Sequence, residues 1–196
     1  MATLKTTVLP LTAAGVLLLC GVPLFLQGVN EDSLRQLIRL TAGSSLLLFG
    51  LAFSASSIHQ LLPDDRWRSV LQARRQIGLA FALSHTYHLA AIIGLVEVAY
   101  GGDYSELGDL TGGAVVYLFI YLMALTSNDA SVRLLGARQW KWLHKIGVYL
   151  IWFALTLSYL GGMFGSGAWY YWIYAPLAIS LLPLRIVAYW SKRKRA

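Results

Sequence analysis

The sequence predicts an all-α integral membrane protein, a bundle of six transmembrane helices with both termini in the cytoplasm. Three observations carry that prediction. Of the 196 residues, 57% are hydrophobic and 13% charged, against roughly 45–50% and 25% in ordinary soluble domains. Apolar stretches of about the 20 residues needed to cross ~30 Å of hydrocarbon recur along the whole chain. Charged residues gather in the connections, and the connections alternate in sign. A chain committed to lipid in this way has no room for a separate flavin, nucleotide or substrate domain of ~100–150 residues. It reads as a single domain, 1–196, with a basic tail at 191–196.

Six apolar runs mark the helices: 7–27, 37–61, 77–100, 114–127, 143–164 and 170–190. The first follows Lys5, as a signal peptide would, but it exceeds the usual apolar core and lacks a small-x-small cleavage pattern, so it reads as a retained helix. Cys20 lies inside it as an apolar filler, and a single cysteine offers neither a disulfide nor a thiolate metal site. The second run stops at Pro63-Asp64-Asp65, and the third lies between Arg74-Arg75 and Gly101-Gly102. Gly112-Gly113 close an acidic loop ahead of the fourth, and Gly165-Ser166-Gly167 form a tight link between the fifth and sixth. Trp67, Tyr100, Trp140, Trp142, the cluster Trp169-Tyr170-Tyr171-Trp172, and Tyr189-Trp190 gather at the run ends, where most serve as headgroup-level anchors. No internal repeat of the kind that builds inverted-repeat transporters is visible.

Six crossings place both termini on one side, and charge names that side. Lys5, Arg66, Arg68, Arg74, Arg75, Arg133, Arg138, Lys141, Lys145 and the tail Lys192 to Arg195 fall together; Glu31, Asp32, Asp103, Glu106 and Asp109 fall opposite, with Arg35 and Arg39. The positive-inside rule makes the basic side cytoplasmic. The net charge of +7 is then a topology signal lying against anionic lipid, not a nucleic-acid surface.

Ionisable residues within spans are costly and so point to function. His85 and His88 are three apart on one face of the third helix, with His88 ~20 Å from Arg75 at 1.5 Å per residue, near mid-membrane. His144 opens the fifth helix and His59 ends the second, both near the cytoplasmic side. Neutral imidazoles on facing helices suit the axial positions of a haem iron, the apolar macrocycle filling the space between helices. The plain alternative is that these histidines make interhelical hydrogen bonds, and His59, beside Gln60, fits a solvated interface position. Zinc fits less well, because its sites usually recruit carboxylates or thiolates and Glu97 lies on the far side. Arg74, Arg75 and Arg185 are either snorkelling topology charges or partners for haem propionates or a cofactor phosphate.

The segment from Arg74 through Gly78, Phe81, His85 and His88, followed by Trp140-Lys-Trp-Leu-His144 and Gly147-Val-Tyr149, resembles the ferric-reductase-like transmembrane domain family from the second span to the fifth. The resemblance implies a six-helix b-type haem protein that moves electrons across the membrane. His88 matches the family's mid-helix ligand and His144 the histidine that opens the fifth helix. The family's second histidine on that helix, about 13 residues further on, is replaced by the stretch Leu157-Ser158-Tyr159, which favours one haem over two. The axial arrangement stays open: offset helices joining His88 to His144, His85 as the partner of His144, a five-coordinate haem, or a branch without haem.

The functional expectation is an electron-transfer subunit of the bacterial inner membrane without its own flavin site. A cytoplasmic flavin reductase or a quinol would donate, and a periplasmic or membrane redox partner, or a quinone, would accept. The alternative is a non-catalytic membrane subunit or assembly partner that keeps the fold without haem. A transporter is disfavoured because no chain of charged residues runs through the bilayer middle.

Overall fold

The computed structural model describes residues 2–108 and 110–195, and among these the regular structure is helical throughout. Eight α-helices follow in order: α1 (Ala2–Gln27), α2 (Glu31–Leu61), α3 (Asp65–Gln72), α4 (Arg74–Ala99), α5 (Thr111–Leu125), α6 (Asp129–Leu135), α7 (Ala137–Gly165) and α8 (Tyr171–Arg195). A 3-10 turn, Tyr104–Leu107, lies between α4 and α5. Asp109 and the side chains of Lys5, Cys20 and Arg195 lie outside the described residues, and so do the expectations placed on them.

Helices α1, α2, α4, α7 and α8 are long and apolar enough to cross a membrane. The fourth run becomes α5, whose 15 residues rise about 22 Å, short of the ~30 Å hydrocarbon core. It joins α6 at an angle of 106°, so the count is five spans, or six with the bent pair taken as one.

Local chemistry sets the helix ends. The second helix starts at Glu31, six residues before its apolar run, because Asn30 and Ser33 form a reciprocal cap: the Asn30 side chain accepts from the Ser33 N–H at 2.9 Å and the Ser33 hydroxyl accepts from the Asn30 N–H at 3.1 Å. Glu31 and Asp32 in its first turn suit the helix N-terminus. Pro63 follows its end, and Asp64 caps α3 by accepting from the Trp67 N–H at 2.8 Å. Gly101 and Gly102, with φ of +59° and +85°, turn the chain out of α4 in the left-handed region that glycine tolerates. Gly112 and Gly113, expected in the loop, instead form the first turn of α5. In the acidic loop, hydrogen bonds from the Ser105 hydroxyl and its backbone N–H hold the Asp103 carboxyl below its usual pKa.

The bundle is built around α2. Its antiparallel partner α4 meets it through Thr41 with His88, Ser44 and Ser45 with Ser84, Phe49 with Phe81, and the Ala52 carbonyl with Arg74. Small hydroxyl residues let the two backbones approach and give each other hydrogen-bond partners, as helices in lipid require. On its other side α2 receives α8, with the Tyr174 ring against Gly43 and Leu181 against Gly50, and the Gln60 amide donates to the Ala188 carbonyl. Helix α7 packs on α8 through Trp152, whose indole N–H donates to the Ala178 carbonyl at 2.9 Å. It packs on α5 where Gly147 meets Met123 and Phe119. α1 lies against α2 and α4 and turns Leu11, Leu17, Leu18 and Phe25 outward. Helices α4 and α7 hardly touch, and the space between them is a cavity.

Candidate functional site

That cavity measures about 490 Å³, within the ~300–1,000 Å³ typical of cofactor pockets. Its walls are apolar and aromatic: Phe49 and Phe53 from α2, Phe81 from α4, Ile120 and Met123 from α5, and Val148 from α7. Its polar lining is mainly basic. Arg74, Arg75, Lys141 and Lys145 face it together with His144, and its acidic residue, Asp129, is paired with Arg75 at 3.0 Å. Gly78 also lines it, so α4 presents bare backbone there.

His144 reaches the cavity from α7 with its ring stacked on Trp140 at 4.1 Å between centroids. Its Nε2 lies 3.2 Å from the Thr126 hydroxyl, which itself donates to the Leu122 carbonyl at 2.6 Å. With that hydrogen committed, Thr126 accepts from His144 Nε2–H, and the free imidazole lone pair is on Nδ1. Trp140 donates its indole N–H to the Thr126 carbonyl at 2.9 Å. This tryptophan, one of the run-end aromatics, most of them expected as headgroup anchors, thus also holds the orientation of His144.

His85 and His88 are not in the cavity wall. His85 stands one turn beyond Phe81 with the two rings stacked at 5.4 Å, and it stacks further on His88 at 5.1 Å and Tyr117 at 4.9 Å. It is buried, and its Nδ1 has no hydrogen-bond partner. His88 faces α2, where its Nδ1 lies 3.1 Å from the Thr41 hydroxyl. Thr41 donates to the Leu37 carbonyl at 2.7 Å, so it accepts from His88 Nδ1–H and leaves the Nε2 lone pair free. That is the tautomer a metal-bound histidine uses when its second nitrogen is held by an outer partner. The fold thus brings His144, Arg74 and Arg75 to one cavity, places His85 just beyond it, and sets His88 at a separate position against α2. His59 has a buried Nδ1 without a partner and lies away from this lining. Among the described residues, no three His, Cys, Asp or Glu side chains come together.

The two basic residues that open α4 part company. Arg75 is tied into the bend between α5 and α6, donating to the Ser127 carbonyl at 2.6 Å as well as to Asp129. Arg74 donates to the Ala52 carbonyl at 2.8 Å and pairs with no carboxylate among the described residues. On α7, Leu157 and Ser158 point outward, Leu157 being 52% exposed. Tyr159 points inward and donates to the Ala42 carbonyl at 2.8 Å. Of the stretch 157–159, where the resemblance implies a second histidine, two residues thus face outward and Tyr159 fills the interior.

A second hollow, a lateral groove of about 550 Å³, runs between α1, α4 and α5 past Pro10, Leu83, Thr86 and Tyr121. It shares Ala82 and Ala124 with the cavity.

No known family's sequence profile matches the chain, and no solved structure matches it. Curated proteins do, among them these two. The protein-methionine-sulfoxide reductase heme-binding subunit MsrQ of Azospira oryzae is 28% identical over 142 residues, 69% of this chain and 60% of that protein. The subunit of the same name from Ralstonia nicotianae is 28% identical over 177 residues, 82% of this chain and 75% of that protein. The chain thus spans about three fifths of the length of the first relative and three quarters of the second. With its apolar helices and this likeness, the chain is an integral membrane protein that resembles the MsrQ heme-binding subunits.

Proposed function

We propose that the chain is a haem-b-binding electron-transfer subunit of a bacterial inner membrane. The observation that carries this reading is the cavity between α4 and α7: an imidazole in its wall, aromatic sides and an excess of guanidinium and ammonium groups. A haem has apolar faces and two carboxylates on one edge, so this donor set suits it. The buried, unpartnered Nδ1 of His85 beside the cavity is a further orphan that a ligand would relieve. Bound there, the group would supply reversible one-electron iron chemistry.

The chain's own residues divide the work. His144, oriented by Trp140 and Thr126, would be the first residue to hold the iron. His85, one turn beyond Phe81, would be the nearer second candidate to hold it, and His88 the next. Phe49, Phe53 and Phe81 exclude water and lower the local dielectric, and Arg74 and Arg75 offset negative charge at the basic end. That end, with the segment 133–145, faces the cytoplasm and offers a docking surface for an acidic flavin reductase, an encounter that salt would weaken. The lateral groove, one alanine layer from the cavity, is a place for a quinone or quinol. Since both relatives are named as heme-binding subunits of a methionine-sulfoxide reductase, we assign the acceptor to a periplasmic partner of that kind, met at the acidic face.

The separate settings of His88 and His144 favour one competing reading, a membrane subunit that keeps the fold without haem. Absorption spectra of the purified protein, oxidised and reduced, decide between them. A Soret band that sharpens and shifts on reduction supports the proposal. Protein expressed with ample haem and free of any such band overturns it.

A further inference from the structure

Resting on that reading, we propose that Arg185 and Arg74 together form the carboxylate-binding end of the cavity and hold a propionate of its ligand. Arg185 lies on α8 ten residues before the helix end, about 15 Å along the axis, within a membrane-spanning segment. Its guanidinium carbon sits 4.3 Å from the centre of the Phe53 ring and 5.2 Å from that of Tyr149. Its Nη1 is sealed from solvent without a hydrogen-bond partner. Phe53 also lines the cavity, and so does Arg74, which is held by the carbonyl of the neighbouring Ala52. Arg74 and Arg185 thus contact adjacent residues of α2, Ala52 and Phe53.

Nothing in the described chain neutralises this pair. Asp129 is taken by Arg75, Glu31 by Arg35 and Asp65 by Arg68. Asp32, Asp64, Glu97, Asp103 and Glu106 are exposed at helix ends and loops. A guanidinium does not shed its proton as a buried lysine can. Two of them, partly withdrawn from water in a lipid-facing bundle, call for an anion. The ring faces of Phe53 and Tyr149 offset part of that demand. Arg74 is in the cavity lining and Arg185 is not; Arg185 stacks on the face of Phe53, which lines the cavity, and on this proposal an acidic group bound there draws both guanidiniums to it.

The test compares uptake of iron protoporphyrin IX with uptake of its dimethyl ester, whose propionates carry no charge. Wild-type protein should bind the free acid at least about tenfold more tightly than the ester, the difference expected for a charge-assisted hydrogen bond. Arg185→Gln and Arg74→Gln should each remove about that factor for the acid and leave the ester's affinity unchanged, and Arg185→Lys should keep part of it. Equal affinity for acid and ester in the wild type, a comparison that needs no variant to fold, would overturn the inference while leaving the haem reading intact. So would equal losses for both porphyrins in the variants. Loss of co-purifying phosphatidylglycerol in the variants with haem uptake unchanged would assign the pair to a lipid phosphate and overturn it as well. Wild-type protein that takes up neither porphyrin would refute the haem reading, and this inference with it.

Discussion

Two threonines hold two of the four imidazoles of this protein, those of His88 and His144. Each spends its own hydrogen on a carbonyl one turn back in its helix, Thr41 on Leu37 and Thr126 on Leu122, and so accepts from a histidine on a neighbouring helix. Such interhelical bonds in membrane proteins average about 0.6 kcal/mol. In a double-mutant cycle, Thr41→Val and His88→Ala should therefore couple by about that amount in detergent unfolding; additive effects would mean the bond is not formed. For ligand binding, His144→Ala should abolish most of the Soret absorbance, and His85→Ala should lower it more than His88→Ala. Full retention of haem in the triple variant would sink the ligand assignment. The histidines stood out in the sequence because an ionisable group inside an apolar run is conspicuous. Thr41, Thr126 and Trp140 did not, since threonine is ordinary in a span and tryptophan at a run end reads as an anchor. Their role rests on which residue lies across the interface, and nothing local records that.

The packing of α5 against α7 depends on Gly147, where an added Cβ would lie 2.2 Å from the Met123 sulfur. Met123 also lines the cavity, and its flexible side chain has that space to move into. Gly147→Ala should thus reduce cavity volume and weaken haem uptake while leaving thermal stability nearly unchanged. Gly162 is a stiffer case, because the Tyr171 ring stands 2.2 to 2.7 Å from a Cβ placed there. Gly162→Ala should cost about 1–3 kcal/mol, the usual range for overpacking, read as a lower unfolding midpoint in detergent. The apolar runs located the long helices well, since length and hydropathy are local properties. They missed the first two turns of α2, which are polar and exist because of the Asn30 cap and the pairing of Arg35 with Glu31 and the Tyr100 hydroxyl. They also missed the sharp bend after α5, which Asn128 stabilises by accepting from the Ser131 N–H at 2.8 Å.

Topology belongs to the molecule as a whole, because each connection's side depends on how many crossings precede it. If the basic connections all lie on one side, as we propose, the α5–α6 pair takes the chain across the bilayer despite the short length of α5. In a Cys20→Ser background, cysteines at Ser69, Ser131 and Ser191 should react from the cytoplasmic side and a cysteine at Ser105 from the outside. Labelling of positions 105 and 131 from the same side would reduce the bundle to five crossings and place the termini on opposite faces.

The lipid-facing bundle and the positions of its long helices were written in composition, run length and charge alternation, because transfer into hydrocarbon is a sum over local residues. The histidines and arginines worth examining were written there too, for the same reason. The cavity was not: its walls come from α2, α4, α5 and α7 together, with Phe49, Phe53 and Phe81 lining it and α7 seated closely on α5 at Gly147. The separation of Arg75 from Arg74, the turning of His88 toward α2 and the stranding of Arg185 on two aromatic rings likewise depend on helix rotation about the bundle axis. That rotation is set by the packing of small against large side chains across four interfaces at once, a property of the assembled bundle that no single run contains.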